Sequence, residues 1–593
     1  MPDPKIPPLN PWPLDLLLAR ITEEWSRRGS VFDLPGSRFF RPDPTVDLSI
    51  EACGRRIATP VGPAAGPHTQ MAQNIVAAWL AGARSFELKT VQTLDDLDIG
   101  RPCIDMEAVG YNVEWSQELD LDRSLEQYAT AMMLLEMLPR WQSLREVLGD
   151  PGGHVFEMSV GYDLAGVQSD KVARFLDSAS DLNPVVDRLR KLIPESLAGL
   201  RDLDFPTRLA DGVTVSTFHG CPPEEIAAIV MHLMDRHGLD VTVKLNPTLL
   251  GEAKVREILH DRLGHHDVEL EPQAFREDLQ RDQALELIER LRGEARERGR
   301  TFGVKLTNTL VVRNSRGILP GEKVYLSGSP LHVLAVELLA DLDRELGGAL
   351  RLGPDDSGEL PVAFSAGVNR ANFPTMTGMG LAPVTVCSDL LRPGGYGRLG
   401  FMLKDLREAM HAADCADIPS WRRFLHETAV AGGHADLIAA HAAGLAGEDR
   451  APYSRDGAEQ PRRKDLVLET WDCSCCNHCV SVCPNDAMIR MASAPESGSR
   501  LAKKWQFLCL ADLCNDCGNC DTFCSEEGAP NRVKPRLWLN PHENLELQPG
   551  EYLVTADAEG FQVEGGPDAD LVRETIAGAG GLPLLPRNLA GGR

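Results

Sequence analysis

IATPVGPAAGPHTQMAQNIVAAWLAGARSFELKTVQT, residues 57–93, holds two short β-branched or apolar runs with a helical pattern between them. The runs are IATPVG (57–62) and SFELKT (85–90). In MAQNIVAAWLAG the apolar residues recur at three- and four-residue spacing, which is helical. A strand, a helix and a second strand in so short a space read as a βαβ unit with parallel strands. The pattern continues with HVFEMSVG (154–161), VTVST (213–217), VTVKLN (241–246), FGVKLTN (302–308), PVAFSAG (361–367) and PVTVCS (383–388). Helical stretches such as EEIAAIVMHLMDRHG and DQALELIERLRGEARERG lie between them. Eight strand candidates spread over roughly 350 residues predict an α/β fold, a (β/α)8 TIM barrel with insertions after the second, third, fifth and sixth strands. A doubly wound open sheet is the competing arrangement.

The remainder sorts around this block. At 593 residues the chain is too long for one core. Its 43% hydrophobic and 25% charged residues are ordinary for globular proteins. Residues 1–50 read as a Pro- and Asp-rich arm and 51–412 as the barrel. Residues 413–465 read as a helical linker, 466–535 as a cysteine-rich module, and 536–593 as a hairpin with a loose tail. A net charge of −26 argues against a nucleic-acid partner. The first residues lack the basic start and apolar run of a secretion signal. No stretch of about 18 apolar residues is present to span a membrane. A cytoplasmic protein is expected, where clustered cysteines read as metal ligands before disulfides.

Ten of the 15 cysteines lie between Cys473 and Cys524. Cys473, Cys476, Cys479 and Cys483, followed by Pro484, give C-x2-C-x2-C-x3-C-P. Cys514, Cys517, Cys520 and Cys524 repeat the spacing, with Ser525 in place of the proline. This is the pattern of a bacterial two-[4Fe–4S] ferredoxin, in which three cysteines hold one cluster and the fourth crosses to the other. The module is therefore expected to be ferredoxin-like. Structural zinc, which also uses C-x2-C pairs, is the bland alternative. Cys475 and Cys509 fall outside both runs, and Cys509 is a candidate substitute ligand.

Two clusters form a wire that needs a terminus, and the barrel offers one. Strands two, five and six end in lysine, at Lys89, Lys244 and Lys305. Lysine at a buried strand end is costly unless paired. Salt bridges to loop carboxylates would account for any one of them; three around one mouth point to an anionic ligand. Glycines follow the last two strands, at Gly367, Gly394 and Gly395, where such barrels bind phosphate. Phosphate at one end and lysines near a ring point to FMN. GGYGRLG fits G-x-G-x-x-G but follows the eighth strand, so it is not a dinucleotide fingerprint. No other stretch supplies a nicotinamide site.

The 57–93 stretch resembles the first βαβ unit of the dihydroorotate and dihydropyrimidine dehydrogenases. ATPVGPAAGPHTQ, FELKTVQ, HGCPPEEI, VKLNPTLLG, GVKLTNTL and DLLRPGGYGRL more closely resemble the bacterial selenate reductase iron–sulfur subunit family. That resemblance covers most of 50–410 and recurs in the cysteine module. Longer members carry an FAD/NADPH module, which these 593 residues do not contain. The resemblance implies that Lys89 and Lys244 lie against the flavin, with Asn308 and Thr309 beside flavin and substrate. It implies that Ser327, Gly328, Gly367, Cys387 and Ser388 hold the ribityl phosphate. Asn112 and Glu114 are implied to bind a pyrimidine-like ring, and Cys221 to be the acid that protonates substrate carbon. Phe218 stands where the dehydrogenases have an asparagine, so one amide contact is lost and a ring other than uracil is expected. Cys221 also reads well unaided. It precedes PPEEIAAIVMHL at a helix start, whose positive end favours a thiolate, and His219 is near enough in sequence to relay a proton.

The expected function is that of an oxidoreductase subunit with two [4Fe–4S] clusters and FMN. Electrons come from an FAD/NAD(P)H-binding partner or a ferredoxin, and a small heterocycle is reduced or oxidised. One alternative is an electron-transfer subunit serving a selenate reductase or a molybdenum hydroxylase, without an organic substrate. Another is a non-catalytic assembly scaffold.

Overall fold

The computed structural model describes residues 9–91, 104–105, 111–112, 117–216, 220–317, 319–355, 357–457, 461, 463–493, 500–541, 545–557 and 560–578. The eight predicted strands are present: β1 (Val61–Pro63), β2 (Ser85–Glu87), β3 (Val155–Val160), β4 (Gly212–Ser216), β5 (Asp240–Leu245), β6 (Phe302–Leu306), β7 (Val362–Phe364) and β8 (Val384–Val386). They form one parallel sheet in the order 1-8-7-6-5-4-3-2. The ends of that order meet, because the Arg84 backbone N–H donates to the Val61 carbonyl at 2.9 Å. A Cβ on Gly62 would lie 1.5 Å from the Ser85 carbonyl oxygen, so only glycine lets β1 approach β2 this closely. Closure makes the sheet a TIM barrel and excludes the open-sheet alternative.

Each strand is followed by a main helix: α1 (Ala72–Leu80), α2 (Leu121–Met137), α3 (Asp170–Ser180), α4 (Pro223–His237), α5 (Arg281–Glu297), α6 (Ser329–Leu346), α7 (Phe373–Gly378) and α8 (Gly397–Ala412). In α5, Ala284, Leu287, Ile288, Leu291 and Ala295 form one buried stripe, and a Gln280–Gln283 capping box starts the helix. Such stripes anchor the helices to the apolar outward residues of the strands, whose inward positions include Glu87, Glu157, Lys244 and Lys305. Register places Lys244 of β5 opposite Lys305 of β6, and Glu87 of β2 opposite Glu157 of β3.

Insertions build over the C-terminal mouth of the barrel. A second sheet joins Glu269–Leu270, Leu310–Arg313, Lys323–Leu326, Ile104–Asp105 and Tyr111–Asn112. At the opposite end the Ile50–Ala52 and Arg55–Ile57 hairpin borders a cavity of about 520 Å³. Residues 418–446 form two helices, Ile418–Ala431 and Leu437–Ala446, packed on the barrel.

Beyond them, β9 (Met488–Ala492), β10 (Trp505–Leu510), β11 (Arg536–Trp538), β12 (Glu551–Asp557) and β13 (Gly560–Gly565) form a mixed sheet in that order. The cysteine runs flank β9 and β10, each with a one-turn helix, His478–Ser481 and Asn519–Thr522. The arm helix Leu14–Arg28 buries Leu14, Leu17, Leu18 and Ile21. Its Arg20 pairs with Asp486 of the cysteine module, and the Asn10 N–H donates to the Asp512 carbonyl at 2.8 Å. Among the described residues no helix is long and apolar enough to cross a membrane.

Candidate functional site

The barrel mouth encloses a cavity of about 260 Å³. Lys244, Asn308, Thr309, Ser327, Gly367, Cys387 and Ser388 line it, so seven of the sequence-read residues converge there. Lys305 sits just beneath, where its Nζ donates to Glu87 Oε2 at 2.8 Å and to Thr385 Oγ1 at 3.0 Å. Lys244 Nζ lies 3.2 Å from Glu87 Oε1. Glu87 also accepts from the Ala65 N–H at 2.8 Å. Burial alone would raise the Glu87 carboxyl, but the two lysines and the hydrogen bonds hold it at about 2. Lys89 is fully buried, and its Nζ donates to Gln70 Oε1 at 2.8 Å. Lys244 and Lys305 thus share one ionised carboxylate, while Lys89 is held by a neutral amide, an arrangement suited to an anion.

Asn308 is fixed where three strands end. Its Nδ2 donates to Asn246 Oδ1 at 2.7 Å, and its Oδ1 accepts from Ser216 Oγ at 3.0 Å. Gly328, at φ 79°, leads into α6. Gly367, at φ +53°, packs so tightly that an added Cβ would stand 2.6 Å from the Gly328 carbonyl oxygen. The start of an 18-residue helix and a glycine loop share this corner, an arrangement that binds anions.

Sequence reading missed the support behind that corner. His332 of α6 holds the Ala366 carbonyl through Nδ1 at 2.9 Å and meets His441 Nε2 at 3.2 Å. Tyr453 stacks on His332 at 5.1 Å, and Asn372 Nδ2 donates to Gly367 O at 3.1 Å and to Tyr453 Oη at 3.1 Å. His441 and Tyr453 come from the segment read as a linker. A lone histidine in the apolar helix LHVLAVELL was the one available signal.

Cys221 does not line the cavity. Its thiol is pushed up to about 12, by burial first and then by Glu225 and Asp163. These outweigh the helix terminus, so the expected thiolate is replaced by a thiol. Asp278, also missed, holds this loop: it accepts from the Gly220 N–H at 3.0 Å and from Thr248 Oγ1 at 2.7 Å. Of Asn112 only the backbone is described, paired with Ile104. Glu114, His219 and Phe218 lie outside the described residues.

The eight thiols of the two runs fall into two sets. Cys479 feels the charges of Cys473, Cys476 and Cys524, and Cys524 feels Cys476 and Cys473. Cys520 feels Cys517, Cys514 and Cys483, and Cys517 feels Cys483 and Cys514. Each set takes three cysteines from one run and the last cysteine of the other. Among the described residues no three His, Cys, Asp or Glu side chains converge to hold a single metal ion. In the first set Cys476 is exposed. The second set abuts the barrel: Asn519 Nδ2 donates to Leu391 O at 2.9 Å and to Val482 O at 2.7 Å. Cys475 donates to the Cys473 and Trp505 carbonyls, and Cys509 shares a hydrogen bond with Cys514.

A buried file runs from this second set to Lys89, which stands outside the cavity lining next to Thr90, a residue that does line it. Gln70 Nε2 and Asn74 Nδ2 both donate to Asn485 Oδ1 at 3.1 Å, two residues beyond Cys483. Gln70 in turn accepts from Lys89. Beside the file, Tyr396 Oη donates to Pro484 O at 2.7 Å, and the edge of His68 meets the Tyr396 ring at 5.4 Å.

A closed parallel barrel with a charged cavity at its strand C-termini defines a TIM-barrel protein of enzyme type. The chain belongs to the YgfK oxidoreductase family: residues 32–431 match that family's N-terminal TIM-barrel domain. The YgfK protein of Escherichia coli K12 is 40% identical over 418 residues, covering 67% of this chain and 39% of the relative. The same figures hold for Escherichia coli O157:H7. The chain therefore spans about two fifths of the length of the curated relatives it matches. Among solved structures it is similar to ligand-free dihydroorotate dehydrogenase (DHODH) of Eimeria tenella, with a TM-score of 0.39 and 16% identity over 68% of this chain and 96% of that one. The ferulenol complex of that enzyme gives a TM-score of 0.38 and 16% identity over 72% and 96%.

Proposed function

We propose that this oxidoreductase is an iron–sulfur flavoprotein subunit that moves electrons between a partner protein and a small heterocycle at the barrel mouth. The observation that carries the reading is the buried Asn485–Gln70–Lys89 file, which ties a cysteine loop to the lysine just beyond β2, next to the cavity-lining Thr90, across the interface of module and barrel. The residues fit the groups. Cys473, Cys476, Cys479 and Cys524 would hold an outer [4Fe–4S] cluster, and Cys514, Cys517, Cys520 and Cys483 an inner one, in a ferredoxin-like module. A cubane spreads its sulfurs more widely than a single zinc ion does, in keeping with thiols that interact without converging. Lys89, Lys244 and Lys305 supply cations for an anionic ring system, with Asn308 and Thr309 at its edge. Ser327, Gly328, Gly367, Cys387 and Ser388 form the phosphate corner of an FMN site. The clusters supply one-electron steps, and FMN couples them to two-electron chemistry.

The outer set, exposed at Cys476, faces the partner: an FAD/NAD(P)H-binding subunit or a ferredoxin. The substrate class is a cyclic amide, pyrimidine- or purine-like, addressed by Asn112 and Glu114. Cys221, held as a thiol, or His219 supplies its proton. Anaerobically purified protein is expected to contain about eight iron atoms and one acid-extractable FMN per chain. Stoichiometric zinc, extracted FAD, or a colourless protein refutes the reading.

One observation favours a second reading. Cys221 stands outside the cavity lining, as it would in a relay that passes electrons to a selenate-reducing or molybdenum hydroxylase partner. Cys221→Ala separates the two. The enzyme reading expects turnover of a heterocycle to fall by about 10²–10⁴-fold with cofactors retained. Unchanged electron passage to a protein acceptor, with no heterocycle turned over by either form, selects the relay.

A further inference from the structure

Three neighbouring strands of the cysteine module bring Cys509 of β10, Arg536 of β11 and Glu551 of β12 into one row, because Cys509 stands opposite Arg536 and Arg536 opposite Glu551. All three side chains are enclosed, between 0% and 8% exposed. The row is directed at one sulfur of the inner set. Cys509 shares a hydrogen bond with Cys514, and Arg536 Nη1 reaches Cys514 Sγ at 3.9 Å. The same Nη1 donates to the Asn531 carbonyl at 2.8 Å, and Arg536 Nε donates to Glu551 Oε1 at 3.2 Å, so the guanidinium is fixed at both ends. Asp516 Oδ1 lies 3.5 Å from Nη1 and 3.7 Å from Cys514 Sγ, and accepts from Asn531 Nδ2 at 2.6 Å. The ion pair with Glu551 accounts for burying the charge; it does not account for a tip aimed at sulfur. The outer set has no counterpart. Among the described residues, Ser525 Oγ, 3.6 Å from Cys476 Sγ, is the one side-chain group that hydrogen-bonds a sulfur of that set.

We propose that Arg536 sets the electron affinity of the inner [4Fe–4S] site by holding its charge against Cys514, so that an electron is favoured on the barrel side of the module. The proposal rests on the iron–sulfur reading. It acts through Cys514: ligating as a thiolate, that sulfur accepts from Arg536 Nη1 in a charge-assisted hydrogen bond. An electron added to a thiolate-bound cluster makes an anionic group more anionic. A fixed cation in a low-dielectric interior favours that state. One electron, lost by the partner redox protein and passed on through the outer site, reduces the inner site; no bond forms or breaks and no proton moves. Glu551 works in the opposite sense, because it draws on the guanidinium charge from the far end of the side chain.

Arg536→Gln keeps a hydrogen-bonding amide and removes the charge. Anaerobic holoprotein is titrated with titanium(III) citrate while electron paramagnetic resonance follows both clusters. One of the two midpoints is expected to fall by about 59 mV or more, a tenfold loss of electron affinity, and the other to stay where it is. Iron should remain at about eight per chain. Glu551→Gln should move the same midpoint upward. Loosened packing, acting alike in both variants, would not give opposite signs. Two unmoved midpoints, two that move together, or shifts of the same sign in the two variants overturn the proposal. If Arg536→Gln loses its iron, Glu551→Gln decides alone, and an unmoved or lowered midpoint overturns the assignment. Wild-type protein without two [4Fe–4S] signals fails the functional reading itself, a result seen before any variant is made.

Discussion

The barrel mouth and the cysteine module are both built from buried ionisable groups, yet they are stabilised in opposite ways. At the mouth the charges answer one another: Glu87 is clamped by Lys244 and Lys305 and stays ionised at about 2. In the module the groups are alike. Burial first, and then neighbouring thiols, push Cys479, Cys483, Cys517 and Cys520 up, Cys483 to about 12. The mouth is complete as a packed structure. On the proposed reading, the eight thiols of the module gain a reason to be together when their protons give way to a cationic centre. The difference teaches that the mouth balances its buried charges internally, whereas the module leaves like groups side by side, as the proposed clusters would require.

The largest expected effect breaks the module alone. Cys520→Ser should cut iron from about eight to four or fewer per chain and unfold the module at lower temperature, with the barrel transition retained. Parallel measurements of iron content and melting check this. A single melting transition that shifts as a whole would show that the two regions are not independent.

The next effect breaks the mouth alone. Lys305→Met removes one partner of a pair in which both side chains are buried. It should cost about 3–5 kcal/mol of unfolding free energy, with iron content unchanged. The pH dependence has a definite sign. The folded Glu87 pKa is below the unfolded value, so its contribution is fully present above the ordinary glutamate value of about 4.3 and is lost as pH falls toward 2. Lys305→Met should flatten the denaturation midpoint over that window; an unchanged slope would mean that Lys305 is not what holds Glu87 ionised.

A third substitution cuts between the regions. Asn485→Leu leaves the buried amides of Gln70 and Asn74 without their shared acceptor. The expected cost is about 1–3 kcal/mol, with faster amide hydrogen exchange in Gln70–Asn74 and normal iron and flavin content. Unaltered exchange there would remove Asn485 as the joint between module and barrel.

What was legible in the sequence follows the range of the interactions. Short β-branched runs announce themselves locally, so all eight strands were found, though IATPVG enters the barrel only at Val61–Gly62, its Ile57 belonging to the basal hairpin, and PVAFSAG shortens to Val362–Phe364 where the backbone leaves the sheet to form the mouth loop. Cysteine spacing is local too. Glu87 was invisible, one acidic residue between Phe86 and Leu88, because only barrel closure brings two lysines to it. Gln70 and Asn485 are 415 positions apart and have meaning only as a pair. The Cys221 environment was misjudged because a helix start is readable in sequence, whereas burial and the carboxylates of Asp163 and Glu225 are not.

The smallest effect sharpens the comparison at the glycine corner of the mouth, where neutral groups meet in place of ion pairs. Because His332 Nδ1 faces a carbonyl, it must carry the proton, and His332 Nε2 is then an acceptor. His441 Nε2 therefore donates to it. Burial holds His332 at about 3 and His441 at about 4, in His332 with help from the neighbouring ring. Both folded values lie below the unfolded value of about 6.5, so the unfolded chain binds the extra protons. Stability is full above that pH and falls as pH drops below it, by about 1.4 kcal/mol per pH unit for each histidine. His441→Phe should cost only about 1 kcal/mol at pH 7.5, since Asn372 Nδ2 lies 3.5 Å from the vacated acceptor. Between pH 6 and pH 5 the variant should lose stability less steeply than wild type, by one proton's slope. The Ala366–Gly367 loop would be less firmly held, so, if the proposed FMN is bound there, dialysis should strip it faster. Equal slopes for the two proteins would mean that the pair is not neutral in the folded state, and the contrast between the ion-paired floor of the mouth and its uncharged corner would fail.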